Sequence, residues 1–119
     1  MDYRIIEKNN KKYIECVFRQ GNLSAEQDVL DLIGICIGND VYALVLYIDA
    51  FSEDFFNLKT GLAGMILQKF INYHIKVAVI LDKEVAFNDR FKEMIMEANK
   101  GKHFRTFKNI MDAEVWILS

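Results

Sequence analysis

The run VYALVLYI at positions 41 to 48 is eight apolar residues long, β-branched and aromatic, with no polar position to face water. It is too short for an ordinary buried helix and has no alternation. It therefore reads as a strand covered on both faces, which is the environment of a central strand in a parallel sheet. IKVAVIL at 75 to 81 is a second run of the same kind. Two such strands require helices packed on the sheet, and the chain between them has to supply a crossover.

The remaining patterns fit that demand. YRIIE (3–7) and KYIECVF (12–18) flank KNNK, whose paired asparagines tolerate positive φ, so a hairpin is expected. Its second strand puts Ile14, Cys16 and Phe18 on one side and Tyr13, Glu15 and Val17 on the other. Ser24, with Gln27 three residues on, has capping-box spacing and opens a helix through AEQDVLDLIGICI that stops at Gly38. A second helix is expected from about 60 to 73, with Leu62, Ile66, Phe70 and Tyr73 as its stripe. A third runs from about 88 to 100, capped by Asn88 and stopped by Gly101, with Phe87, Phe91, Ile95 and Ala98 inward. HFRTF (103–107) suits an edge strand, and Asn109 caps a last helix carrying Ile110, Ala113, Trp116 and Ile117.

The order β-β-α-β-α-β-α-β-α makes this an α/β chain, one domain of 119 residues with a mixed, mostly parallel five-stranded sheet and an N-terminal antiparallel hairpin. If each crossover steps to the neighbouring strand, all helices fall on one face. The other face then shows Tyr13, Val17, Val45, Tyr47, Val77 and Val79. That surface is too apolar to stay wet, so a homodimer, another partner or a switch in strand order is expected to cover it.

Composition narrows the function classes. A net charge of −2 and a pI of about 5.7 do not provide the basic surface that nucleic-acid binding uses. Lys100, Lys102, Arg105 and Lys108 read as a solvated segment. No run approaches the roughly 20 apolar residues of a membrane span, and no signal segment opens the chain, so neither membrane nor nucleic acid is expected as a partner. Cys16 and Cys36 lie in apolar runs without metal spacing and read as buried free thiols of a cytoplasmic protein.

Parallel sheets gather ligands at the C-terminal ends of their strands. Asp49 and Asp82 end the two central strands, and Ser52, Glu53, Asp54 and Lys59 follow in the adjoining loops. Two aspartates do not make a converging metal set; they read as loop and capping carboxylates. His74 and His103 precede strands and so belong to the opposite rim, too far away for an acid–base pair with those aspartates. No nucleophile elbow, Walker loop, dinucleotide fingerprint or zinc signature occurs, so no catalytic residue, metal or cofactor is assigned.

Thr60-Gly61-Leu62-Ala63-Gly64 is different, because it follows a central strand and opens a helix. Free N–H groups there are receptive to an anion, including a phosphate on Thr60, and the glycines allow either a partner or the sheet to come close. With the initial hairpin and this hydroxyl residue followed by Gly-Leu, the chain resembles the STAS domain of anti-sigma factor antagonists. The resemblance implies that Thr60 matches a position phosphorylated by a partner kinase, with Gly61-Leu62 as its Gly-Leu. Leu58 and Lys59 stand where that family usually carries an Asp. DFFNLKTGLAGMILQKFINYHIKVAVILD (54–82) and EANKGKHF (97–104) also look like signature stretches of an uncharacterised bacterial family, domain-of-unknown-function family 4180. The expected function is a non-enzymatic interaction or regulatory module whose surface holds Asp49, Ser52, Lys59, Thr60, Gly61, Gly64 and Asp82. The alternative is a phosphate- or nucleotide-sized ligand, or an enzyme's substrate, bound in the crevice at the strand ends.

Overall fold

A computed structural model of the chain describes residues 2–17, 23–83 and 87–119. Strand β1 (Asp2–Lys8) turns into β2 (Lys11–Val17) through Asn9 and Asn10, both with positive φ, 53° and 66°. This is the primed turn that suits a right-twisted hairpin. Helix α1 (Glu26–Gly38) leads to β3 (Ala43–Tyr47). Three short 3-10 turns (Ile48–Ala50, Glu53–Phe56 and Leu58–Thr60) then lead into α2 (Leu62–Asn72). Strand β4 (Lys76–Ile80), α3 (Asp89–Ala98), β5 (Phe104–Phe107) and α4 (Ile110–Ile117) complete the expected order. The expected position of Phe18 lies outside the described residues.

The sheet order is β1-β2-β3-β4-β5, antiparallel at the hairpin and parallel elsewhere. Each crossover therefore steps to the neighbouring strand, and α1, α2 and α3 share one face. There Val29, Leu32, Ile66, Phe70 and Phe91 pack on Ile14, Leu44, Leu46, Val77 and Val79. The other face is covered from within the chain: Ala113 and Ile117 of α4 close over Tyr13, Val45, Ala78 and Ile80. Among the described residues α4 leads into no further strand, so crossover handedness does not dictate its side. The registers Leu44↔Val77 and Val45↔Ala78 also correct the composition of that second face. Val77 and Val79 belong to the three-helix side, and Ala78 and Ile80 take their place. Val17 stays 58% exposed.

Helix ends follow local chemistry, with two revisions. Asn88 and Asn109 cap as expected, accepting from the N–H of Phe91 at 2.9 Å and of Asp112 at 2.9 Å. Helix α1 begins one residue later than Ser24 suggests. Asp28 reaches back to the N–H groups of Ala25, at 3.0 Å, and Ser24, at 3.2 Å, so it does the work assigned to Gln27. Helix α1 does end at Gly38, but the chain reverses at Asp40, whose φ is 56°. Helix α4 has no basic residue in its last turn. Lys11 and Lys76 supply the charge from the sheet, donating to the carbonyls of Leu118 at 2.8 Å and Trp116 at 2.6 Å. Among the described residues, no helix is long and apolar enough to cross a membrane.

The two glycines of the α2 start have separate explanations. Gly61 adopts φ 75° and joins the last 3-10 turn to α2, a conformation that costs an L-residue energy. Gly64 lies on the exposed face of α2, and a Cβ there meets no atom within 4 Å. Close helix–sheet contact at this point is made by Ala63, which is fully buried. Gly61→Ala should therefore cost about 1 kcal/mol in urea unfolding, and Gly64→Ala should gain about 0.5–1 kcal/mol. Equal losses from both would contradict this division.

Cys16 and Cys36 are buried free thiols. Burial pushes Cys16 up to about 12 and Cys36 up to about 11, from an ordinary 9.0. Burial and then its hydrogen bond to Glu15 push Tyr47 up to about 12, from 10.0. The unfolded chain loses these protons first, so their contribution is complete below about pH 9 and disappears as pH rises through 11 to 12. Stability should be level from pH 7 to 9, then fall by about 1.4 kcal/mol per pH unit for each group in transition. Tyr47→Phe should make the fall above pH 10 shallower, as read from urea midpoints across pH.

Candidate functional site

At the C-terminal ends of β2, β3 and β4, beyond the reach of α4, lies a polar cleft of about 310 Å³. It is lined by Arg4, Glu15, Val17, Tyr47, Asp49 and Asp82. Strand β2 explains why it is polar. Tyr13, Glu15 and Val17 share the α4 side, and they run from covered Tyr13 (1% exposed) to uncovered Val17 (58%). Glu15, between them, is the buried charged side chain of the described residues, 3% exposed.

A carboxylate this deep needs partners for both oxygens. The hairpin register sets Arg4 opposite Glu15, and Arg4 Nε donates to Oε1 at 2.6 Å. The Tyr47 hydroxyl donates to Oε2 at 2.8 Å. Through the hydrogen bond and charge of Glu15, the Arg4 guanidinium is held above its ordinary pKa. Asp49, in the turn after β3, accepts from Lys83 Nζ, and that contact holds Lys83 above its ordinary range. Asp82 lies two residues past the end of β4 and has no salt-bridge partner among the described residues. At the α4 end of the same face, Tyr13 and Lys8 converge on Glu114. Those two hydrogen bonds, Lys8 first, hold the Glu114 carboxyl below its usual range.

The other expected site residues gather in a second place, on the loop that leads into α2. Thr60 is exposed, and its hydroxyl ties the loop together. It donates toward the carbonyls of Asp54, at 2.6 Å, and Asn57, at 2.9 Å, and accepts from the Leu62 N–H at 3.2 Å. Lys59 is exposed, its N–H donating to the Asn57 side chain at 3.2 Å. Ser52 accepts through its carbonyl from the Phe55 N–H at 3.1 Å, but its buried Oγ has no hydrogen-bond partner among the described residues. Beneath this loop Phe51, Phe55, Phe56, Phe87 and Phe91 form a continuous aromatic cluster, with Phe51 stacked on Phe55 at 4.2 Å.

The cleft thus unites Asp49 and Asp82, while Ser52, Lys59, Thr60, Gly61 and Gly64 do not line it. Sequence reasoning missed Arg4, Glu15, Tyr47 and Lys83. A signal for the first two existed: a two-residue turn at Asn9-Asn10 places Arg4 across from Glu15, and Glu15 alternates with Tyr13 on a packed face. Among the described residues, no three His, Cys, Asp or Glu side chains converge as a metal site. His103 lines an apolar groove of about 400 Å³ with Leu67, Ile71 and Met94. Arg105 is committed structurally, donating to the Gly101 carbonyl at 2.8 Å and lying 5.4 Å from the Trp116 ring.

The family model described as Domain of unknown function (DUF4180) matches residues 8–117. Among curated proteins, no match to the chain is found.

Proposed function

The chain belongs to the DUF4180 family, and from that premise we propose that it is a non-enzymatic protein-interaction module, STAS-like, whose docking surface is the loop opening α2. Thr60 is the switch. The observation that carries this is the Thr60 hydroxyl, exposed yet holding the turns Glu53–Phe56 and Leu58–Thr60 in place. A phosphate ester on that oxygen has no hydrogen to donate, so the single O–H shared between the two carbonyls is lost, at about 1 kcal/mol, and both carbonyl oxygens then face an oxygen that can only accept. The new charge gains about 0.3–1 kcal/mol from the helix start, which does not offset that loss together with the repulsion from the two carbonyl oxygens. The balance loosens the loop, and one modification therefore alters the shape and the charge of the surface together. Gly64 supports the same reading, since the fold does not need its missing side chain. Comparing amide exchange in wild type, Thr60→Glu and Thr60→Val tests the device. Both variants should speed exchange across residues 53–60, and unchanged protection would remove the switch.

A second reading rests on a separate observation, the cleft of about 310 Å³ lined by Arg4, Glu15, Tyr47, Asp49 and Asp82. It offers a small polar ligand, such as a phosphate or nucleotide, both a guanidinium and carboxylates. A ligand at a hundred times its dissociation constant stabilises by about 2.7 kcal/mol. A thermal-shift screen of phosphates and nucleotides with no upward shift leaves the interaction module as the sole reading.

A further inference from the structure

We propose that β1 is a self-pairing edge: two copies of this chain join antiparallel through β1, about a two-fold axis at Ile5, and double the five-stranded sheet. Among the described residues, no strand pairs with the outer side of β1. The strand has seven residues in unbroken register with β2, from Asp2↔Val17 to Lys8↔Lys11, with no bulge to blunt it. The opposite edge, β5, has only four residues.

Backbone geometry selects the register. A two-residue turn closes on a hydrogen-bonded pair, here Lys8 and Lys11. Alternation from that pair directs the amides of Asp2, Arg4, Ile6 and Lys8 toward β2 and those of Tyr3, Ile5 and Glu7 outward. An antiparallel copy must set outward residues against outward residues. Centring the axis on Ile5 pairs Ile5 with Ile5 and Tyr3 with Glu7, giving about six hydrogen bonds. Moving the axis to Arg4 or Ile6 removes some of those bonds.

The side chains favour the same register. It places Asp2 opposite Lys8 at both ends, an attractive pair formed twice by symmetry. Centring on Arg4 would instead oppose Arg4 to Arg4. On the three-helix face, Tyr3 and Ile5 are 44% and 43% exposed, because they lie beyond the cover of the helices. In the pair, Ile5 meets Ile5 and Tyr3 lies diagonal to it, so each copy covers the other's apolar side chains. The contact is isologous and closes at two copies.

Light scattering of the full chain at micromolar concentration tests this. The expected mass is twice 13.9 kDa. Ile5→Pro removes an outward N–H without cutting a bond to β2, and Ile5→Lys places charge on the axis. Both should give a single-copy mass with unchanged circular dichroism. Asp2→Lys, which sets lysine against Lys8, should weaken association about tenfold. If Ile5→Pro does not fold, Ile5→Lys decides. A wild-type single-copy mass, an assembly larger than two, or a dimer that survives a folded Ile5 variant would each overturn the proposal.

Discussion

Phe55→Ala is expected to cost about 3–5 kcal/mol, the upper range for a buried aromatic truncation. Phe55 is 2% exposed, stacked on Phe51 at 4.2 Å and edge-on to Phe56 and Phe91 at 5.5 and 5.6 Å. It belongs to a 3-10 turn rather than a long helix, so the backbone holding it has few bonds of its own and depends on this packing. A domain of this size is stable by about 5–15 kcal/mol, so the loss is a large share of the total and should lower Tm by about 10 °C or more. The effect should also be uneven. Asp54 accepts the Thr60 hydroxyl and neighbours Phe55, so amide protection should fall across 53–60 before it falls in β3 and β4. Urea unfolding combined with amide exchange reads both. A cost below 1 kcal/mol would mean that the aromatic cluster closes over the gap and does not support the loop.

Removing Arg4 should harm the protein more than removing the charge of Glu15, although Arg4 is the exposed partner. The Arg4 side chain is 72% exposed and that of Glu15 is 4% exposed. Glu15→Gln frees a guanidinium that can turn to water, and the amide oxygen still accepts from one partner, so the cost is about 1 kcal/mol. Arg4→Met leaves a buried carboxylate with Tyr47 as its one partner, which costs more than the Glu15→Gln change, though less than breaking a fully buried pair because the cleft opens to solvent. The double variant should then be more stable than Arg4→Met alone, a non-additivity that a double-mutant cycle in urea measures. An Arg4→Met cost near zero, with additive behaviour, would show that water in the cleft already solvates Glu15.

Local signals carried the element order well. The Asn9-Asn10 turn, the caps at Asn88 and Asn109 and the two apolar central runs depend on residues within a few positions of each other, and the structure has them where expected. What depends on distant pairing was less legible. The register that puts Ala78 rather than Val77 beside Val45 is a contact between strands, and nothing within IKVAVIL selects it. The side taken by α4 follows from no crossover, so the exposed apolar face inferred from the sequence is instead a second core. For the site, Asp49 and Asp82 were readable as strand ends. Lys83 was not, because its role comes from an ion pair with Asp49 across a sequence gap of 34 residues. Thr60 was readable as the residue before Gly-Leu. Its double tie to Asp54 and Asn57 follows from 3-10 turns that leave little trace in composition.

On the proposed function, the surface opening α2 binds a protein and Thr60 governs the binding. The most direct measurement is quantitative capture from a native extract by wild type and by Thr60→Glu, with Gly61 and Gly64 unaltered in both. A partner held by one form and released by the other is expected, with the difference mapping to residues 53–64. Identical partner sets for the two forms, or no specific partner for either, would contradict it.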